Sequence, residues 1–199
     1  MTLDKERRMG AHAASEVERD PYSTKEEQSI GEALTQGDHR TALALCARHY
    51  GAAVGRLCMA LVGSQEEADD LTQETLIDAH TGFGSWRKDS TVRAWLFGIA
   101  RRKCARHLER TTRRQARLRL VHDSQRGNTS EELLALRQHA EKARQALGAI
   151  RPSEREALVL RYAGELSFRE VGDACGIDEA AARKRVSRAL ARLRDAVKE

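Results

Sequence analysis

The last stretch of the chain sets Arg183, Lys184, Arg185, Arg188, Arg192 and Arg194 among apolar Ala182, Val186, Ala189, Leu190, Leu193 and Val197, which return every three or four residues. Such a helix packs on one face and is cationic on the other. An arginine fork can read the edge of a guanine, and lysine or arginine can hold a phosphate. Ahead of it, Leu166, Phe168, Val171, Ala174, Cys175 and Ile177 supply the inner side of a shorter helix and a turn. Gly176 fits the tight corner, where a missing Cβ removes a steric cost, and Asp178 is placed to cap the final helix. Together these residues spell a helix-turn-helix. Arg183, Lys184 and Arg188 are its candidates for groove or phosphate contact, and Arg185 faces either a neighbouring helix or the flanking phosphates.

A second basic run extends from Arg101 to Arg119, with Arg102, Lys103, Arg106, Arg110, Arg113, Arg114 and Arg117 opposed only by Glu109. The net charge of +5 is modest, so its concentration here says more than its sum, and a run of this size suits a polyanion. The opposite chemistry appears at Glu66, Asp69, Asp70, Glu74 and Asp78, an acidic helix side better suited to a basic protein surface than to DNA. No glycine-rich phosphate loop accompanies these carboxylates, which disfavours an ATPase or nuclease.

Cys46 with His49, and Cys104 with His107, have a spacing that would make a Cys2His2 metal or redox site if their helices converged. Both cysteines also belong to apolar stripes, and a core role with no metal, no cofactor and no catalytic residue is the reading adopted. No Cys-x-x-Cys pair, no long apolar run and no signal-peptide core are present, which points to a cytoplasmic chain without structural disulfides.

Abundant Ala, Leu, Arg and Glu with two prolines predict an all-α protein of two small helical domains joined by a flexible linker, the second a helix-turn-helix domain. Residues 1–22 read as a mobile extension. Residues 23–112 form the first domain, with helices from Ser23, from about His39 to Val62, from Ser64 to about His80, and from about Thr91 to Thr111. Gly82 to Ser90 is a loop holding Phe83 and Trp86, whose rings either seal the core or meet a ligand. Residues 113–129 have linker composition, and 130–199 form the second domain. Ser23 with Glu26, Ser64 with Glu67, Ser153 with Glu156 and Ser167 with Glu170 have capping-box spacing.

The arrangement resembles the extracytoplasmic function (ECF, group 4) sigma factors of bacterial RNA polymerase. The resemblance rests on Gly37-Asp38 and Tyr50, on Glu67-Ala-Asp-Asp-Leu-Thr-Gln-Glu-Thr75, on Phe83, and on Arg93-Ala-Trp-Leu-Phe-Gly-Ile-Ala-Arg101. It continues through Ser153 to Glu156, Leu160-Arg161-Tyr162, Leu166 to Val171 and Arg183 to Ala189.

That likeness implies a sigma region 2-like domain that binds core polymerase and the −10 element, and a region 4-like domain that binds the −35 element. It implies contact of Asp69, Asp70, Gln73 and Glu74 with core polymerase, and of Phe83, Trp86, Arg93, Arg101, Arg102 and Arg106 with −10 DNA. It assigns −35 DNA to Arg183, Lys184, Arg185 and Arg188, and it implies control by an anti-sigma factor or other regulatory protein. The chain departs from the family pattern at Arg102 and Arg106, where Asn and Asp are common, and at Ala181, where a hydroxyl often holds phosphate. The alternative is a stand-alone helix-turn-helix regulator whose N-terminal helices sense or dimerise; an enzyme using the clustered carboxylates with Mg²⁺ is a further rival.

Overall fold

The computed structural model describes residues 25–86, 89–118, 148 and 150–198, and these contain helices and turns with no strand. The helices are α1 (Lys25–Thr35), α2 (His39–Val62), α3 (Gln65–Gly82), α4 (Val92–Leu118), α5 (Pro152–Tyr162), α6 (Phe168–Cys175) and α7 (Glu179–Lys198), with a 3₁₀ turn at Phe83–Ser85. The expected N-terminal extension, Ser23, most of the expected linker and the start of the expected second domain lie outside the described residues. Helix α4 reaches Leu118, so residues 113–118, which have linker composition, are helical.

Local chemistry sets the helix boundaries. The Asp38 side chain accepts from the Thr41 N–H at 3.0 Å to start α2, and Gly63, in the left-handed region at φ 78°, closes it. Ser64 starts α3 by accepting from the Glu67 N–H. Ser167 and Glu170 form a reciprocal capping box on α6: the Glu170 N–H donates to the Ser167 hydroxyl at 3.2 Å and the Ser167 N–H donates to the Glu170 carboxylate at 2.9 Å. Each such cap contributes about 1 kcal/mol. Asp178 caps α7, accepting from the Ala181 N–H at 2.6 Å.

The Ser153 to Glu156 box does not form. Pro152 opens α5 in the first turn behind an Arg151 cap that makes no side-chain bond, which places Ser153 inside the helix. Proline suits that position because its missing N–H would have no intrahelical partner there. Glu156 is thereby released to pair elsewhere.

In the first domain, Ala42, Cys46, Tyr50, Val54, Leu57, Cys58 and Leu61 make α2 the central core helix, with Ile30, Leu71, Ala79, Val92, Leu96 and Cys104 packed from its neighbours. In the second, Ala157, Leu160, Leu166, Val171, Ala182, Val186 and Ala189 close α5, α6 and α7 around one another. Arg192 pairs with the buried Glu154 at 2.8 Å, tying α7 to α5. The two sets of helices meet along α4, which lies directly against α6, so the buried residues form one continuous core.

The corner between α6 and α7 depends on two glycines. Gly176 takes φ 68° and the Ile177 N–H returns to the Gly172 carbonyl at 3.0 Å. A Cβ on Gly172 would stand 2.7 Å from the Ile177 carbonyl oxygen, which is backbone and cannot swing away. Gly172→Ala should therefore destabilise the second domain by about 1–3 kcal/mol, as overpacking does elsewhere. Thermal unfolding followed by circular dichroism checks this, and an unchanged midpoint would mean that the corner has room to open.

Candidate nucleic-acid and protein interfaces

On α7, Arg183, Lys184 and Arg188 are exposed and Arg185 is half-buried, on the side away from buried Ala182, Val186 and Ala189. Helical spacing thus delivers the cationic face that the sequence pattern requires. The structure adds a support for Arg183 that sequence reading missed. Its guanidinium lies 4.5 Å from the centroid of the Phe168 ring, with Arg161 at 4.7 Å from the same ring. Glu179 holds Arg183 from one helical turn away at 2.7 Å. Cation–π contacts at exposed sites contribute about 0.5–1 kcal/mol. Their greater effect here is to fix where the arginine fork begins its reach. Phe168 reads in sequence as a packing residue, and only the meeting of α5, α6 and α7 gives it this second duty.

On α3, Asp69, Asp70, Gln73 and Glu74 are all exposed, while Ala68, Leu71, Thr75 and Ala79 are buried behind them. The four polar residues share one surface, as the period demands. Lys103 of α4 borders it, reaching Glu74 at 3.1 Å and Asp78 at 2.8 Å. Ile77, one turn beyond Gln73 and Glu74, is 62% exposed and adds an apolar contact point to the acidic surface. Its position off the Leu71, Thr75 and Ala79 stripe was the available signal in the sequence.

The six residues expected at −10 DNA do not stay together. Arg102 and Arg106 are exposed, but Arg93 is 2% exposed and Arg101 is half-buried. Arg93 donates to Glu170 at 3.3 Å and to the carbonyls of Gly164 and Glu165 at 2.9 and 3.0 Å. Arg101 donates to the Ala174 carbonyl at 3.2 Å and to Glu156 at 2.8 Å. In this conformation both arginines face the second domain, not solvent. Their charge is the reason: a buried guanidinium requires acceptors, and the carbonyls and carboxylates of α5, α6 and their connection provide them.

Phe83 is likewise a packing residue here, 4% exposed and 5.7 Å from the Trp95 ring, with His39 and His80 beside it. Trp86 is half-buried at the edge of an open cleft of about 470 Å³ lined by Gln28, Gly31, Glu32, Thr35 and Gln36 of α1. Its indole N–H is shielded from solvent and has no acceptor among the described residues. Of the two rings, Trp86 is the one placed to meet a ligand.

The cysteine pairs do not converge as a Cys2His2 set. Cys104 shares a hydrogen bond with Cys58, which together with burial pushes its thiol up, while Cys46 is pushed up to about 12 by burial and by Glu27. No cluster of three or more metal-ligating side chains occurs among the described residues.

Two helical domains, an exposed acidic helix in the first and a cationic second helix of the helix-turn-helix in the second, define a helix-turn-helix protein with a separate acidic surface. The Sigma-70 region 2 family matches residues 46–114, and the Sigma-70 region 4 family matches 140–193. The chain is 32% identical to the ECF RNA polymerase sigma factor EcfG of Rhodopseudomonas palustris, over 68% of this chain and 74% of that protein. It is 30% identical to the probable RNA polymerase sigma-C factor of Mycobacterium bovis, over 61% of this chain and 65% of that one. The chain belongs to the ECF RNA polymerase sigma factors.

Two solved structures share its fold. CnrH in complex with the cytosolic domain of CnrY aligns with a TM-score of 0.63 at 21% identity, covering 87% of this chain and 97% of that one. The sigma factor RpoE in complex with the anti-sigma factor NepR from Bartonella quintana aligns with a TM-score of 0.57 at 25% identity, covering 76% and 94%.

Glu27 braces the start of α4. It accepts from the Tyr50 hydroxyl at 2.6 Å, from the Val92 N–H and from the Arg93 N–H at 3.3 Å, a carboxylate set at a helix N-terminus. Burial nevertheless pushes its carboxyl above the ordinary 4.5, against the pull of those donors. The folded chain then keeps a proton that the unfolded chain has lost, so the contribution of Glu27 to stability declines as pH rises from 4.5 through the raised value. Glu27→Gln removes that dependence. Across this window the thermal midpoint of the native chain should fall relative to that of the variant, and a constant difference would assign the titration to another group.

Proposed function

We propose that this chain binds core RNA polymerase, directs it to promoters with two elements and assists their melting. The observation that carries this reading is the ordered match to sigma regions 2 and 4 on a fold that presents an acidic helix in one domain and a cationic recognition helix in the other. The protein is an initiation factor with no catalytic chemistry of its own, and it acts in the cytoplasm. No described helix is long and apolar enough to cross a membrane. The domain limits are 23–112 for the polymerase- and −10-binding part and 130–199 for the −35-binding part, with 113–129 between them and 1–22 ahead.

Asp69, Asp70, Gln73 and Glu74 meet polymerase, with Ile77 as an apolar centre for that contact. Complementary charge steers the encounter, and burial of the isoleucine slows release. Arg102 and Arg106 meet the −10 backbone from their exposed positions; Arg93 and Arg101 join them after the domains part. The Trp86 cleft holds an unstacked base, which the half-buried indole ring meets by its face or edge. Phe83 supports the cleft from within the core. Lys184 and Arg188 bind phosphates of the −35 element, Arg183 reads a base, and Arg185 flanks them. An anti-sigma factor controls the protein, a reading supported by the complex of the similar sigma factor RpoE with the anti-sigma factor NepR.

Run-off transcription with purified core polymerase tests the reading directly. Product should require this subunit and both promoter elements, and Asp70→Lys with Glu74→Lys should weaken holoenzyme formation while leaving the helical signal intact. Strong binding of the isolated chain to duplex DNA without any association with core polymerase would favour the stand-alone regulator. On a panel of −35 substitutions in holoenzyme, Arg183→Ala should cost about 1–3 kcal/mol of discrimination at one base pair, whereas Arg188→Ala should weaken all sites together and lower the salt dependence. Unchanged preferences in Arg183→Ala would remove Arg183 from base reading.

A further inference from the structure

We infer that Arg102, Arg106, Arg110 and Arg114 form one row that binds the phosphate backbone of the duplex between the two promoter elements, a contact made without regard to base sequence. The inference rests on the proposed promoter function and extends it, adding Arg110, Arg114 and a stretch of DNA outside both elements.

The four arginines recur at every fourth position of α4, and all four are exposed. Residues four apart stand over one another on a helix, so they share one side. Each step is about 6 Å and the row about 18 Å long, at about 1.5 Å per residue. The other sides of α4 are taken. Ala100 and Cys104 pack in the core. Lys103 pairs with Glu74 and Asp78, and His107 lies 3.2 Å from Glu67, so the acids of α3 meet the neighbouring side. Arg101 turns to Glu156 and the Ala174 carbonyl. Like charges one helical turn apart repel, and this row sets them one after another along the helix. A polyanion laid along the row removes that repulsion.

The direction of α4 selects the DNA it meets. Its first turn follows the turn after α3 that leads to Trp86, the ring at the cleft assigned to an unstacked base. Its last turn leads on along the chain to the second domain, whose α7 is assigned the −35 element. Arg102 and Arg106 therefore lie nearer the melted element, and Arg110 and Arg114 extend from it towards −35, over DNA that is still paired. One strand carries a phosphate per about 3.4 Å of helix axis, so the row runs beside about five base pairs. Contacts of this kind position a protein on the duplex and carry no sequence information.

The test compares holoenzymes reconstituted with core polymerase and the native chain, with Arg110→Gln and Arg114→Gln together, or with Arg110→Lys and Arg114→Lys together. Glutamine and lysine match arginine in helix propensity, so both variants should keep the native helical signal. The DNA is a promoter selected by the native holoenzyme from a random library. A second copy carries neutral methylphosphonates in place of the phosphates of about five base pairs upstream of the −10 element. Affinity is read by fluorescence anisotropy across a salt series.

On the unmodified promoter the glutamine pair should lower the slope of log affinity against log salt by about 1.8, at about 0.9 per phosphate contact. The native advantage should then shrink about tenfold between about 50 and 200 mM salt. The lysine pair should keep the native slope, because a phosphate accepts from either cation. On the methylphosphonate duplex the native chain and the glutamine pair should bind alike, and the glutamine defect should be the same for every sequence placed between the elements.

An unchanged slope in the glutamine pair overturns the inference. A defect that persists in full on the methylphosphonate duplex also overturns it, assigning the arginines to polymerase or transcript, and so does a defect that varies with the intervening sequence, which is base reading. A native holoenzyme that selects no promoter removes the promoter function and this inference together, whereas selective native binding that the glutamine pair reproduces removes this inference alone.

Discussion

The Arg93 guanidinium is the constraint on which the relation of the two domains depends. At 2% exposure it is stable only because Glu170 and the Gly164 and Glu165 carbonyls surround it. Removing one partner from a buried ion pair commonly costs about 3–5 kcal/mol, since the remaining charge is left without compensation. The pair is therefore directional in its effect. It adds little to the stability of either domain taken alone, but it strongly specifies how α6 must lie on α4. Glu170 links that contact to the helix-turn-helix itself, because the carboxylate that meets Arg93 also completes the cap of α6.

The functional surfaces differ in how they depend on this contact. The acidic side of α3 and the cationic side of α7 are properties of single helices, fixed by where Leu71, Thr75 and Ala79, or Ala182, Val186 and Ala189, must pack. They persist whether the domains touch or part. The basic face of α4 is different. Arg93 and Arg101 are held by the second domain while Arg102 and Arg106 are exposed, and that division belongs to the arrangement of the whole chain. Trp86 stands between these cases, since its cleft is formed within the first domain by α1 and the turn after α3.

Much of this protein is legible in its residues alone. Apolar spacing and the caps at Ser64, Ser167 and Asp178 place the helices among the described residues, because caps and periodicity are local and act over one or two turns; the cap at Asp38 emerged only from the structure. The motif order from Asp69-Asp70 to Arg183-Lys184 determines the family for the same reason. Where local signals conflicted, the sequence misled: Ser153 and Glu156 have the spacing of a cap, but Pro152 starts the helix earlier and Glu156 meets Arg101 instead.

Tertiary structure decided which side chains with suitable chemistry are available for it. Arg93 and Arg102 belong to the same basic helix, yet one is buried and the other exposed, and nothing in their residue type distinguishes them. Phe168 carries Arg183 because three helices converge, and Ile77 is exposed because no described neighbour covers that side of α3. The sequence determines what each helix can offer through interactions a few residues long. Which offer is taken depends on contacts between residues some seventy positions apart, such as Arg93 with Glu170 at a separation of 77, and only the packed chain brings those together.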